Sequence, residues 1–181
     1  LSSPLAASDS PAPMPRLQAT EAAQRAAARR LAQASIREPY ACIVPFATGK
    51  LGGHSKAWPG FEALTRHWST RHPDLPLIVL PGPGEEAQAR SRFPGATALP
   101  GVGLDEYVAI LARARLVIAN DTGPGHMAAA AGCATISVLG PTDAQRYAVR
   151  GPRVRIVQAQ PWPEVKAVER AVNEMLVDPP D

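Results

Sequence analysis

Six short apolar segments punctuate this chain: ACIVPF, LPLIVLPG, ATALPG, RLVIAN, ATISVLG and the weaker RVRIVQ. Most are separated by stretches whose apolar residues recur at helical spacing. A strand that alternates apolar and polar residues can leave one face in water, whereas a strand apolar along its length must be covered on both faces. Parallel strands need a crossover between them, and a helix is the usual one. The pattern predicts an α/β domain with a doubly wound parallel sheet of about six strands. No fixed-period repeat competes with it.

The helical stretches carry their own signals. In TEAAQRAAARRLAQAS, Thr20 suits the cap and Glu21 the first turn, with Ala23, Ala27 and Leu31 on one face. This predicts a helix over 20–35. Trp58-Pro59 is expected to open a second helix that turns Phe61, Leu64 and Trp68 inward. A short helix is expected from Glu85 to about Arg92. Leu104, Tyr107, Val108 and Leu111 form one stripe of a further helix, and Val165, Val168, Val172 and Met175 one stripe of the last. The opening LSSPLAASDSPAPMP is Ser-, Pro- and Ala-rich, so residues 1–15 read as linker or tail and 16–181 as the domain.

Composition narrows the class. Hydrophobic residues make up 45% and charged residues 19%, ordinary values for a soluble globular chain. A net charge of +3, with Lys and Arg scattered, does not mark a nucleic-acid binder. No run reaches the roughly 18 apolar residues of a membrane span, and no signal peptide is visible. Cys42 and Cys133 lie inside apolar runs and are expected to be buried free thiols, in keeping with a reducing, cytoplasmic compartment. The start at Leu1, within a loop-like segment, reads as a piece of a longer chain. H-E-x-x-H, C-x-x-C and G-x-S-x-G are absent, and His54, His67, His72 and His126 lack ligand spacing, so no metal is expected.

In an open parallel sheet, ligands sit beyond the carboxyl ends of the strands, where strand order reverses. Four loops there hold unusual residues. In ATGKLGGHSKAWP, glycines and Lys56 just ahead of a helix would cradle a phosphate, although the same letters describe a glycine loop with a solvated lysine. In LPGPGEE, Glu85 or Glu86 would accept from ribose hydroxyls, but acids also favour a first helical turn for their own sake. LPGVGL offers backbone around Val102 to a base edge, or is a plain turn.

The fourth loop, NDTGPGHMAAAAG, ends a buried strand with Asp121 and Thr122 and opens a helix at Gly123, with His126 one turn in. Capping accounts for one acid or hydroxyl. An anion held by the helix start accounts for the glycines and histidine as well. A competing reading takes GPGHMA as G-x-G-x-x-G/A, with Asp143, 20 residues after Gly123, as the ribose-binding acid of a dinucleotide fold. That motif normally follows the first strand, and here it follows the fourth.

Taken together, KAWP, LPGPGEE, LPGVGLDE and NDTGPGHMAAAAG followed by GPTD resemble, in this order, the bacterial lipopolysaccharide heptosyltransferases, the ADP-heptose transferase branch of the GT-B glycosyltransferases. The likeness is best over residues 40–145, and DTGPGH with GPTD is its most specific mark. It implies a Rossmann-like C-terminal half of a two-domain inverting enzyme, with the 20–35 helix in the linker region. That half binds a nucleotide-sugar donor, ADP-heptose or a relative. The catalytic base and a lipid A–Kdo acceptor would belong to a missing N-terminal domain, so this half alone is expected to bind nucleotide with little turnover. By position, Lys56 would neutralise the diphosphate, with Thr48 or Ser55 hydrogen-bonding it. Glu85 would hold the ribose and the backbone at Val102 the adenine. Asp121 would bind donor-sugar hydroxyls. Thr122 and Gly123 would present N–H groups to phosphate, joined by His126. No cofactor is implied beyond the donor, and the expected place is the cytoplasm, peripheral at the inner membrane. The loop from Ala47 to Ser55 is longer and richer in glycine than the family's usual version, while Asn120 reads as ordinary variation. A dinucleotide-binding domain and a non-catalytic nucleotide-binding module are the alternatives.

Overall fold

The computed structural model describes residues 14–47, 49–51 and 54–177. The chain enters through α1 (Glu21–Gln33) and β1 (Ala41–Val44), then a small antiparallel pair, β2 (Lys50–Leu51) and β3 (His54–Ser55). Next come α2 (Phe61–Arg66), α3 (Trp68–Arg71), β4 (Leu77–Val79), α4 (Glu86–Arg92) and β5 (Thr97–Ala98). The second half holds α5 (Leu104–Arg113), β6 (Leu116–Asn120), α6 (Gly123–Ala130) and β7 (Thr135–Leu139). It ends with α7 (Ala144–Tyr147), β8 (Val154–Gln158) and α8 (Val165–Val177).

Six strands form one parallel sheet in the order β5-β4-β1-β6-β7-β8, the doubly wound arrangement expected from the apolar runs. The chain builds outward from β1 in one direction, then returns to add β6 on its other side. The order reverses there, and the loops leaving β1 and β6 diverge to opposite faces.

Alternate side chains of each strand feed separate cores. Ile43 on β1 and Leu116 and Ile118 on β6 meet Trp58, Phe61, Trp68, Phe93 and the inner face of α8. Cys42, Val117 and Ala119 meet a layer of smaller residues from α1, α5 and α6, among them Ala27, Ala109 and Ala128. Each large side chain fully withdrawn from water contributes about 1.5–3 kcal/mol. Tyr40, fully buried, donates its hydroxyl to Ile110 O at 2.6 Å. Both thiols are buried and unpaired, and burial pushes Cys133 up to about 12.

Three local expectations change. Leu104 does not join the stripe of α5 but is 72% exposed, because it is the first residue of that helix and projects beyond the core that takes Val108 one turn later. The helix after Trp58-Pro59 starts only at Phe61, since the Trp58 ring folds back over Gly60. It also breaks at His67, yet Phe61, Leu64 and Trp68 all stay buried. β8 is the sheet edge, which explains its weaker apolar character. Among the described residues, no helix is long and apolar enough to cross a membrane.

Candidate functional site

The site is assembled where β1 and β6 end side by side. Asn120 closes β6 and is fully buried. Its Nδ2 donates to Pro45 O at 2.8 Å, and its Oδ1 accepts from Trp58 N at 2.9 Å. One amide thereby ties both ends of the loop after β1 to the end of β6. Sequence reading missed this role, because Asn before Asp looks like ordinary strand-end polarity.

Asp121 follows and is 6% exposed. Lys56 Nζ stands 3.4 Å from its Oδ2, and His126 Nε2 stands 3.4 Å from its Oδ1. These separations are long for charge-assisted hydrogen bonds, which favour about 2.7–2.9 Å. The ammonium is held near the carboxylate without being locked to it.

Thr122 is the N-cap of α6 in extended backbone, and its side chain caps nothing. Pro124 has no N–H to offer. Gly125 lets the helix sit on the sheet, since a Cβ there would come within 3.0 Å of Asn120 O and 3.2 Å of the Ala119 Cβ. Gly123 is exposed, with nothing within 4 Å of where its Cβ would stand. One expectation changes: the Thr122 amide already donates to Asn120 O at 2.9 Å, which leaves the exposed Gly123, rather than Thr122, to offer an amide without a protein acceptor among the described residues.

Two cavities flank Gly123. The larger, about 770 Å3, is lined by Lys56, Asp121, His126, Arg146, Tyr147 and Arg150, among others. Arg146 lies over the Tyr147 ring at 5.3 Å and Lys56 at 6.0 Å. Lys56, Arg146 and Arg150 against the single carboxylate of Asp121 give this cavity a surplus of two positive charges, His126 not counted. The smaller cavity, about 290 Å3, is walled by Val44, Phe46, Leu80, Glu85 and Tyr107 and opens onto Thr122 and Gly123. Glu85 Oε2 accepts from Gly82 N at 2.8 Å, which turns the carboxyl group back over its own loop. Burial raises the Tyr107 hydroxyl above its ordinary range and keeps it a neutral donor.

Of the expected site residues, Lys56, Asp121, Thr122, Gly123 and His126 converge, and Glu85 shares the smaller cavity with Thr122 and Gly123. Val102 is not brought in: it lines neither cavity and packs against the alanine-rich core, while Arg30 grips the neighbouring carbonyls of Pro100 and Gly101. Thr48 lies outside the described residues, and Ser55 is described only as backbone of β3. Arg146, Tyr147 and Arg150 were missed, although they follow GPTD at another strand end, where the same rule about carboxyl ends would have found them. Asp143 caps α7 by accepting from Gln145 N at 2.9 Å and lines neither cavity, so the acid that the dinucleotide alternative needs does not stand beside Gly123. The described residues hold no group of three or more His, Cys, Asp or Glu suited to a metal ion.

A family model described as glycosyltransferase family 9 (heptosyltransferase) matches residues 3–176. Lipopolysaccharide heptosyltransferase 1 of Salmonella typhimurium is 34% identical over 117 residues, covering 61% of this chain and 35% of that protein. The structure of E. coli ADP-heptose LPS heptosyltransferase II is alike in fold, with a TM-score of 0.73 at 18% identity over 93% of this chain and 56% of that one. E. coli heptosyltransferase WaaC with ADP gives 0.61 at 25% identity over 75% of this chain and 44% of that one. The chain therefore spans about half, or less, of the length of these relatives. With the family model matched along nearly its whole length, the chain belongs to glycosyltransferase family 9, the heptosyltransferases.

Proposed function

We propose that this chain is the donor-binding half of an inverting glycosyltransferase that adds heptose during lipopolysaccharide core synthesis, with ADP-heptose or a related nucleotide sugar as donor. The observation that carries the reading is the approach of Lys56 and His126 to Asp121 beside the open Gly123 amide, all at the switch point of the sheet. A helix start and an ammonium together form an anion site. The smaller cavity suits a nucleoside, with Glu85 and Tyr107 as polar groups among apolar walls. The larger one suits the sugar, with Asp121 to accept from its hydroxyls. Relatives solved with ADP and with ADP-2-deoxy-2-fluoro heptose support an adenine nucleotide.

In the transfer, the bond from the anomeric carbon to the diphosphate oxygen breaks and a bond to the acceptor oxygen forms. Negative charge grows on the departing diphosphate. Preorganised donors and cations where that charge develops are worth more than the same groups in water. Lys56, the Gly123 amide, His126, and Arg146 or Arg150 would supply them, with no cofactor. The base that takes the acceptor's proton, and the lipid A–Kdo acceptor itself, are assigned to the part of the relatives that this chain does not span. On this reading the enzyme works in the cytoplasm, against the inner face of the membrane that carries its acceptor lipid.

Calorimetric titration with ADP, UDP, GDP and NAD tests the reading. ADP should bind best, and Lys56→Ala and Asp121→Ala should each weaken it. A preference for NAD, or indifference to both substitutions, would overturn it.

A further inference from the structure

We infer that Asn120 is a positioning residue: it sets Lys56 against Asp121 and so prepares the cationic site before any ligand arrives. The inference rests on the reading of that site as a nucleotide-sugar pocket. It adds a residue whose side chain, among the described residues, bonds only to backbone at the end of β1 and in the loop after it, and to none of the ligand-facing side chains. Lys56 and Asp121 are 65 residues apart in the chain, so their approach has to be enforced by contacts between the loop after β1 and the end of β6. Parallel pairing of β1 with β6 brings Val44 beside Ala119 and stops there. Beyond that register the loop runs through thirteen residues, from Pro45 to Ala57, before it returns at Trp58.

The Asn120 side chain spans this gap. Its Nδ2 holds the departure of the loop at Pro45 O and its Oδ1 holds the return at the Trp58 amide, two residues after Lys56. It also precedes Asp121, so its geometry is passed to both members of the pair over one or two residues. The return point is pinned a second time, because Trp58 is buried and its indole Nε1 donates to Pro163 O at 2.9 Å. Lys56 is itself held by a bond from its amide to Gly49 O at 3.2 Å. Asn fits this position for a chemical reason: the task needs one donor and one acceptor on a single short planar group, each facing a buried backbone partner. Aspartate would turn an oxygen toward the Pro45 carbonyl, and leucine would leave both backbone groups without a partner.

The test is a double-mutant cycle on the full chain, with ADP as the probe. Asn120→Ala should weaken ADP binding about tenfold in the native background and less than about twofold in the Lys56→Ala background, as expected for residues acting through one contact. Equal losses in both backgrounds would show a general structural role and overturn the inference. A ligand-independent readout separates this from failure of the nucleotide reading. The chain has three lysines, Lys50, Lys56 and Lys166, so reductive 13C-methylation, which keeps the charge, gives few lysine signals. The Lys56 signal, assigned by its loss in Lys56→Ala, should move in Asn120→Ala to where Asp121→Asn places it. A signal that stays at its native position overturns the inference whether or not ADP binds. If Asn120→Ala does not fold, Asn120→Ser, whose shorter side chain cannot span both Pro45 O and the Trp58 amide, is measured in its place with the same expectations.

Discussion

Thr20 and Thr122 both stand at the N-cap of a helix in extended backbone, and they are used in opposite ways. The Thr20 hydroxyl accepts from Ala23 N at 3.2 Å and donates to Asp105 Oδ2 at 2.6 Å, closing the start of α1 against the first turn of α5. The Thr122 side chain closes nothing at the start of α6; its hydroxyl lies 3.5 Å from Asn120 O, and Gly123 behind it faces open space. The residue type is the same. What differs is the surroundings, because α1 begins against another helix and α6 begins in the crevice where strand order reverses. A cap residue in a sequence marks a helix start, but it does not say whether that start is closed by the protein or kept for a ligand.

Five substitutions break or sharpen this contrast. The largest effect is expected at Gly125, where the seat of α6 leaves no room for a side chain. Gly125→Val should cost about 3 kcal/mol by overpacking and abolish ADP binding; urea unfolding gives the first quantity and calorimetry the second. Native-like stability in that variant would mean that α6 is not seated as described.

Lys56→Ala comes next. It should weaken ADP by about 2 kcal/mol, the usual worth of a hydrogen bond to a charged group, and change stability far less. An affinity equal to that of the native chain would remove Lys56 from the site. At Gly123 a methyl group meets only open space within the protein, so Gly123→Ala should leave the unfolding midpoint unchanged or slightly raised. The same methyl would project where an anion approaches, lowering ADP affinity about tenfold, or about 1.4 kcal/mol. Unaltered affinity would place the anion elsewhere.

The paired caps give the smallest and most direct comparison. Thr20→Ala should lower stability by about 1 kcal/mol and leave ADP affinity alone. Thr122→Ala should stay within about 0.5 kcal/mol of native stability. Equal destabilisation by the two, read from parallel urea titrations, would show that the Thr122 side chain does cap α6 in solution.

Much of the fold was legible because burial leaves a local trace. All six sheet strands fall on the apolar runs, and the buried faces of α1 and α8 follow their helical spacing. The misreadings arose where local pattern and global position part. Leu104 fits the stripe of α5 by spacing, yet as the first residue of that helix it projects beyond the core and is exposed. The candidate site was legible to the extent that a rule about strand ends could find it, which is why Lys56, Asp121, Gly123 and His126 were named together. Val102 obeyed the same rule and still lines neither cavity, because β5 lies two strands from β1 at the sheet edge. Arg146 and Tyr147 were passed over because neither belongs to a glycine-rich motif.

By itself, the sequence determined which segments become strands, which helix faces turn inward, and that polar and glycine-rich residues gather at strand ends. These follow from the period of apolar residues, set by backbone geometry over a few neighbours. Only the tertiary structure decided that β1 and β6 lie side by side, that Asn120 reaches Pro45 and Trp58, and that the Thr122 amide is already satisfied while Gly123 stands open. Strand order depends on packing between segments far apart in the chain, and apolar periodicity states that a face is buried without naming what covers it.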